Sequence, residues 1–178
     1  MKDVDFYLNK FYEEYHDDEY KNAILCLKKI SKKEKHKSFW IYSRLSSCYY
    51  ELKDYSKALR YAKTAFKLMP NSPLVLWDYA GPEIMLNKEL KGIKLLKIIQ
   101  NMEDDLTIYG FPDSNLKWMR KLKNDCNYLI GYAYYRICED DFALKYFNLY
   151  LDGREMKIGS IYRKKDANKY LKKIQISG

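Results

Sequence analysis

The chain is poor in the residues that turns and catalytic centres demand. Seven glycines and four prolines in 178 residues leave too few breaks for the many short strands of an all-β fold. Two histidines, His16 and His36, are a thin supply for acid–base chemistry. His16 stands among Glu13, Glu14, Asp17 and Asp18, and His36 lies in the charged run KKEKHKS, so both read as solvated surface groups. No G-x-x-x-x-G-K-[ST] phosphate loop, G-x-G-x-x-G turn or G-x-S-x-G elbow occurs. The carboxylate pairs Glu13-Glu14, Asp104-Asp105 and Asp140-Asp141 fall where turns and helix ends are expected, and turn chemistry explains them without catalysis. No catalytic residue, cofactor or metal is expected.

Cysteine usage points the same way. Cys26, Cys48, Cys126 and Cys138 show no C-x-x-C pairing, and each lies in an apolar helical stretch. Buried free thiols are expected, with neither a disulfide framework nor a zinc site. The first residues, MKDVDFYLNKFYEEYHDD, carry acids early and lack the apolar stretch of a signal peptide. No apolar run reaches membrane-spanning length. These absences predict a cytoplasmic protein with no membrane partner.

What is abundant is apolar and charged residues, 47% and 32%, the balance of a helical globular domain long enough to bury a core. The net charge is +9. Lysines run all along the chain, so most of this charge reads as a solvated surface. It also admits an acidic partner.

The segment Phe39 to Pro70 organises the rest. Tyr42, Leu45, Tyr49 and Leu52 form a helical stripe, Lys53-Asp54 breaks it, and Tyr55, Ala58, Leu59, Ala62, Ala65 and Phe66 form a second stripe that Pro70 ends. Small Ser46, Ala58 and Ala65 let the two helices approach, and larger Leu45, Tyr49 and Leu59 fill the grooves. Ala23 lies 35 residues before Ala58, Gly92 lies 34 after it, and Ala143 lies 51 after Gly92, one period plus an insertion. Ile130-Gly131-x-x-Tyr134 and Phe147 repeat the pattern near the end.

Through Tyr42, Leu45, Ser46, Tyr49, Ala58, Ala65 and Pro70 the segment resembles a tetratricopeptide repeat. It departs from that pattern at Ala62, where a large aromatic is usual. The resemblance implies an all-α fold and a single domain: a short right-handed α-solenoid of about four hairpins, 3–34, 37–70, 73–104 and 114–152. An amphipathic capping helix follows at about 161–174 and an inserted loop lies at about 107–113. A single hairpin cannot bury its own apolar face, so the hairpins must stack.

In that geometry the first helix of each hairpin lines a concave face. The resemblance then points inward Leu8, Tyr12 and Tyr15, then Trp40, Ser43, Ser47 and Tyr50, then Trp77, Ile84 and Met85, then Tyr128, Tyr132, Tyr135 and Arg136. Tyr12, Tyr15, Trp40, Ser47, Tyr50, Trp77, Tyr128, Tyr132, Tyr135 and Arg136 are the predicted protein-binding residues, an aromatic groove with Arg136 as an anion anchor. Rings of this kind are enriched at binding hot spots. Leu8 and Tyr12 stand where chaperone-tail receptors of the family carry a carboxylate clamp, so such tails are not expected ligands.

The last third of the chain, from NDCNYLIGYAYYRICEDD onward, is similar to small bacterial tetratricopeptide-type immunity proteins of contact-dependent toxin systems. This implies a toxin domain as partner. Two other functions stay open: a general scaffold or chaperone adaptor, and a nucleic-acid-binding protein using Arg154, Arg163, Lys164, Lys165, Lys172 and Lys173. Nucleic acid is the less favoured, because the first helices do not set Lys and Arg beside their rings.

Overall fold

A computed structural model describes residues 3–33, 38–105 and 116–177. The inserted loop at 107–113 and His36 lie outside them. Every regular element among the described residues is a helix: α1 Val4–His16, α2 Tyr20–Lys33, α3 Phe39–Glu51, α4 Tyr55–Leu68, α5 Pro73–Met85, α6 Glu89–Gln100, α7 Leu116–Arg136, α8 Asp140–Glu155 and α9 Lys164–Ser177. The chain divides into two compact units, Met1–Leu86 and Asn87–Gly178. In each, helices pack on their neighbours in sequence order, the arrangement of an all-α solenoid.

The repeat period is written into the backbone. Asp18, Lys53, Asn87 and Cys138 each take a left-handed conformation, with φ between 58° and 60°. Each stands five residues before Ala23, Ala58, Gly92 or Ala143, and all four of these small residues are buried. The tight turn and a buried small residue therefore recur together. None of the turn residues is glycine, so packing on both sides holds a backbone that costs an ordinary residue about 1–2 kcal/mol. Cys138 sits at this turn and is exposed, unlike buried Cys26, Cys48 and Cys126. The expectation of four buried thiols holds for three; the fourth is lifted out of the helix by the turn.

In the first unit, α1 packs on α2, α2 on α3, α3 on α4, and α5 on both α3 and α4. Phe11, Leu27, Ile30, Ile41 and Leu45 form the core beneath the first two pairs. Asp54 caps α4, its side chain accepting the Lys57 N–H, and Ser72 caps α5, with Pro73 at its first position. Every residue of α5 but Trp77 and Met85 is buried. Pro82 lies inside this helix and has no N–H to offer the Asp78 carbonyl four residues back. Ser46 of α3 answers that vacancy: its Oγ lies 3.1 Å from the Asp78 carbonyl oxygen and 2.9 Å from that of Ala58.

In the second unit, α6 packs on α7, α7 on α8, and α9 on both α7 and α8. The α7–α8 pair solves the same packing problem as α3–α4 with different residues. Gly131 stands where Ser46 stands, and Phe147 where Ala62 stands. A Cβ on Gly131 would sit 3.1 Å from the Phe147 ring. The missing side chain on one helix admits the large ring of the other, which is fully buried. In the first unit the volume is shared the other way. Tyr61, one residue before Ala62, stacks on Tyr49 at 5.4 Å, and the corresponding Tyr146 stacks on Tyr134 at 5.8 Å.

Ala58 has no exposed surface and faces Ser46. We expect Ala58→Arg to lower the unfolding free energy by about 3 kcal/mol or more, because it adds both volume and a charge to a closed helix contact. Urea titration of the variant measures this; an unchanged midpoint would mean that α3 and α4 do not meet at residue 58.

Candidate functional site

The expected binding residues fall into two groups, one on each unit. In the first, Tyr12 of α1 is 46% exposed. Its ring lies 6.3 Å from Trp40 of α3 and 5.2 Å from Phe11. Trp40 sets its edge on Phe11 at 5.6 Å. Tyr15, one turn along α1, packs against Phe11 and against Tyr20 at 5.4 Å. Burial holds the Tyr15 phenol neutral, with its pKa pushed up to about 12. Tyr12, Trp40 and Tyr15 thus form one cluster with a buried base, Phe11, and an open edge, Tyr12. Leu8 is half-buried beside them.

Farther along α3, Tyr50 is half-buried with its ring against Gly81, where a Cβ would approach to 3.0 Å. Glycine at 81 is what lets α5 come this close. Tyr50 also lies 5.4 Å from Tyr55. Trp77 and Met85 of α5 are half-buried.

Three of the expected inward residues of this unit have structural partners instead. Ser43 and Ile84 have no exposed surface. Ser43 and Ser47 both donate to the Asp78 carboxylate, Ser47 over 2.9 Å. Asp78 is itself buried, and desolvation raises its pKa against the pull of Arg44 and the two hydroxyls. Together with Ser46, three serines of α3 take hold of one residue of α5. Serines spaced at 43, 46 and 47 share one helix face, and that spacing was the sequence signal; what it lacked was the partner, 35 residues away.

In the second unit, Tyr132 and Tyr135 of α7 are half-buried and both meet Tyr170 of α9, at 5.5 and 4.9 Å. Tyr170 also stacks on Phe147 at 5.4 Å. Sequence reasoning placed Tyr170 on the capping helix but not at the centre of this cluster. Two expectations need correction. Tyr128 is 8% exposed: Tyr162 stacks on it at 3.9 Å, with Phe147 and Tyr150 against its other side. The segment leading into α9 covers it, so it is core. Arg136 is no open anion anchor. Its guanidinium pairs with Glu89 at 3.0 Å, donates to Asn87 and lies 5.9 Å from the Tyr132 ring.

The segment between α8 and α9 is held at several points. Asp125 of α7 accepts from the Ser160 hydroxyl and from the Ile161 N–H. The Tyr150 hydroxyl donates to the Tyr162 carbonyl over 2.7 Å, and Arg154 donates to the Ile158 carbonyl over 2.8 Å. Burial raises the Asp125 pKa to about 6, although these hydrogen bonds, Lys121 and Arg154 all act to lower it.

Aromatic rings, most of them tyrosines with a hydroxyl, make up both groups. No cluster of three metal-ligating side chains forms among the described residues, and no helix among them is long and apolar enough to cross a membrane.

The tetratricopeptide repeat family matches residues 39–72, the span of α3 and α4. No curated protein matches the chain. Similar solved structures include one described as "Crystal structure of MamA", 18% identical with a TM-score of 0.63 over 87% of this chain and 80% of that one. "Crystal structure of MamA protein" is 15% identical with a TM-score of 0.59, covering 96% and 89%. "MamA RS-1 ArsTM double mutant" is 13% identical with a TM-score of 0.61, covering 97% and 92%. At these identities the likeness is one of fold. It shows that the chain shares their all-α fold.

Because the folded-state pKa of Asp125 lies above its ordinary 3.8, the folded chain holds this proton more tightly than the unfolded chain. The stability that it contributes is complete below the ordinary pKa and is lost as pH rises through about 6. We expect Asp125→Asn to flatten that part of the stability profile, measured by urea unfolding across the acidic range. A variant whose profile still falls as steeply would remove Asp125 as the titrating group.

Proposed function

We propose that the protein is a non-catalytic binding module that captures another protein through the aromatic rings on the first helices of its hairpins. The observation that carries this reading is the partial exposure of those rings. Tyr12 keeps nearly half of its surface open above a buried Phe11, and Tyr132 and Tyr135 are open along one side of Tyr170. A ring anchored on one side and open on the other loses little entropy when a partner covers it. Trp40, Tyr50 and Trp77 extend the ring surface of the first unit. Ser47 and Arg136 contribute indirectly, by fixing α5 and the start of α6.

A narrower reading follows from the resemblance of the C-terminal third to immunity proteins: the captured partner is a bacterial toxin domain, neutralised when its working surface is covered. The net positive charge favours an acidic toxin. Co-expression with a toxin encoded beside this chain tests that reading, since survival must depend on the same rings.

For the broader reading, the full chain serves as bait in its native cell and the retained protein is then titrated in purified form. Tyr12→Ala and Tyr132→Ala should each weaken binding by about tenfold or more, the range of hot-spot residues. The melting temperature of Tyr12→Ala should stay close to the parent value. Wild-type affinity in both variants would remove the rings from the interface.

A further inference from the structure

The net charge is unevenly placed. Residues 156–178 hold seven Lys or Arg and a single Asp, and so carry +6 of the chain's +9. Five of these cations, Arg163, Lys164, Lys165, Lys172 and Lys173, belong to the basic cluster that the sequence singles out near its end.

Helix α9 sorts the charge onto one side. Ala167 and Ile174 are buried, 0% and 5% exposed, where the helix meets its neighbours. At about 100° per residue, Lys165, Lys169, Lys172 and Ile176 form one stripe on the opposite side. The three lysines are exposed. Arg163 is paired with Asp166, and Lys164 with Glu155. Lys165, Lys169 and Lys172 make no ion pair with any described residue. In the middle of the stripe's width, at its C-terminal end, stands Ile176, 85% exposed. Met156, at the end of α8, and Ile161, in the segment between α8 and α9, are also 75% and 60% exposed.

A cap made only for solubility mixes charges of both signs and keeps large apolar residues covered. A nucleic-acid surface sets rings beside its cations for bases to stack on, but Tyr170 turns inward to Tyr132 and Phe147. Unpaired lysines together with open isoleucine and methionine fit a different surface. Anionic headgroups attract the ammonium groups, the acyl boundary receives the apolar side chains, and the lysine stems bridge the two depths.

We infer that the outer face of α9 lies against an anionic lipid bilayer, with Lys165, Lys169 and Lys172 at the headgroups and Ile176 entering the interface. This is adsorption to a surface and requires no spanning segment. It differs from the reading of the sequence, which expects no membrane partner, and it does not rest on the protein-binding reading.

The test uses the full chain with vesicles of phosphatidylcholine alone and of phosphatidylcholine mixed with phosphatidylglycerol, separated by flotation. The protein should float with the mixed vesicles, be released by salt, and stay behind with the neutral ones. Replacing Lys165, Lys169 and Lys172 together by Gln should weaken partitioning by about a hundredfold, at roughly a fivefold loss per lysine. Ile176→Ser should weaken it by several-fold on the same vesicles. These side chains are exposed, so helical content and melting temperature should not move. Equal flotation with both kinds of vesicle, flotation with neither, or wild-type partitioning of the triple variant would overturn the inference. So would tighter binding to a single-stranded oligonucleotide or to polyglutamate than to the mixed vesicles, since either would assign the face to another class of partner.

Discussion

Everything in these hairpins depends on two helices being able to approach at a point where one of them carries almost no side chain. Ala58 and Ala143, without exposed surface, mark that point on α4 and α8; Ser46 and Gly131 mark it on α3 and α7. Close approach brings the rest of both faces within packing distance, so Leu45, Leu59, Ile130 and Phe147 are buried. It also fixes where the chain must reverse. In the α3–α4 and α7–α8 hairpins the left-handed turn stands five residues before the contact, and its backbone cost is small beside the packing that holds it.

Between neighbouring pairs the ties are polar as well as apolar. Asp78 takes the hydroxyls of Ser43 and Ser47, and Asp125 takes the hydroxyl of Ser160. The Ser43–Asp78 and Asp125–Ser160 pairs each span 35 residues, about one repeat, with acid and hydroxyl exchanged between the two units. A buried carboxylate without such partners would be strongly destabilising. Each pair therefore rewards one arrangement of successive helices and penalises displaced ones. The second pair bears on function, because Asp125 secures the segment that carries α9 and with it Tyr170.

Much of the fold was legible in the sequence because it is set by residue size at fixed spacing. Ala23, Ala58, Gly92 and Ala143 gave the period, and Lys53-Asp54 gave the turn. Which rings stay open was less legible, for a physical reason. Helical spacing tells which side of its own helix a ring occupies, but not whether another helix covers it. Tyr128 and Tyr132 are one turn apart on α7, yet Tyr162 closes over the first and leaves the second half-open. Arg136 looked like a free cation because Glu89 lies 47 positions earlier. Asp78 could not be foreseen as a shared acceptor, since the serines that reach it lie 31 to 35 positions earlier on another helix. The concentration of charge on α9 was visible as composition but became meaningful only once Lys165, Lys169 and Lys172 shared a side with Ile176.

The exchange of volume between the two best-formed hairpins has a bearing on how the chain avoids confusing its own parts. A chain of look-alike segments runs the risk that a helix will settle against the wrong mate. Here α3 presents a hydroxyl and α4 a methyl, whereas α7 presents a hollow and α8 a phenyl ring to fill it. If α8 docked on α3, Phe147 would collide with Ser46; if α4 docked on α7, Gly131 would face a void. The difference works like a pair of mismatched keys, steering each helix to its own counterpart while the nascent chain still offers both.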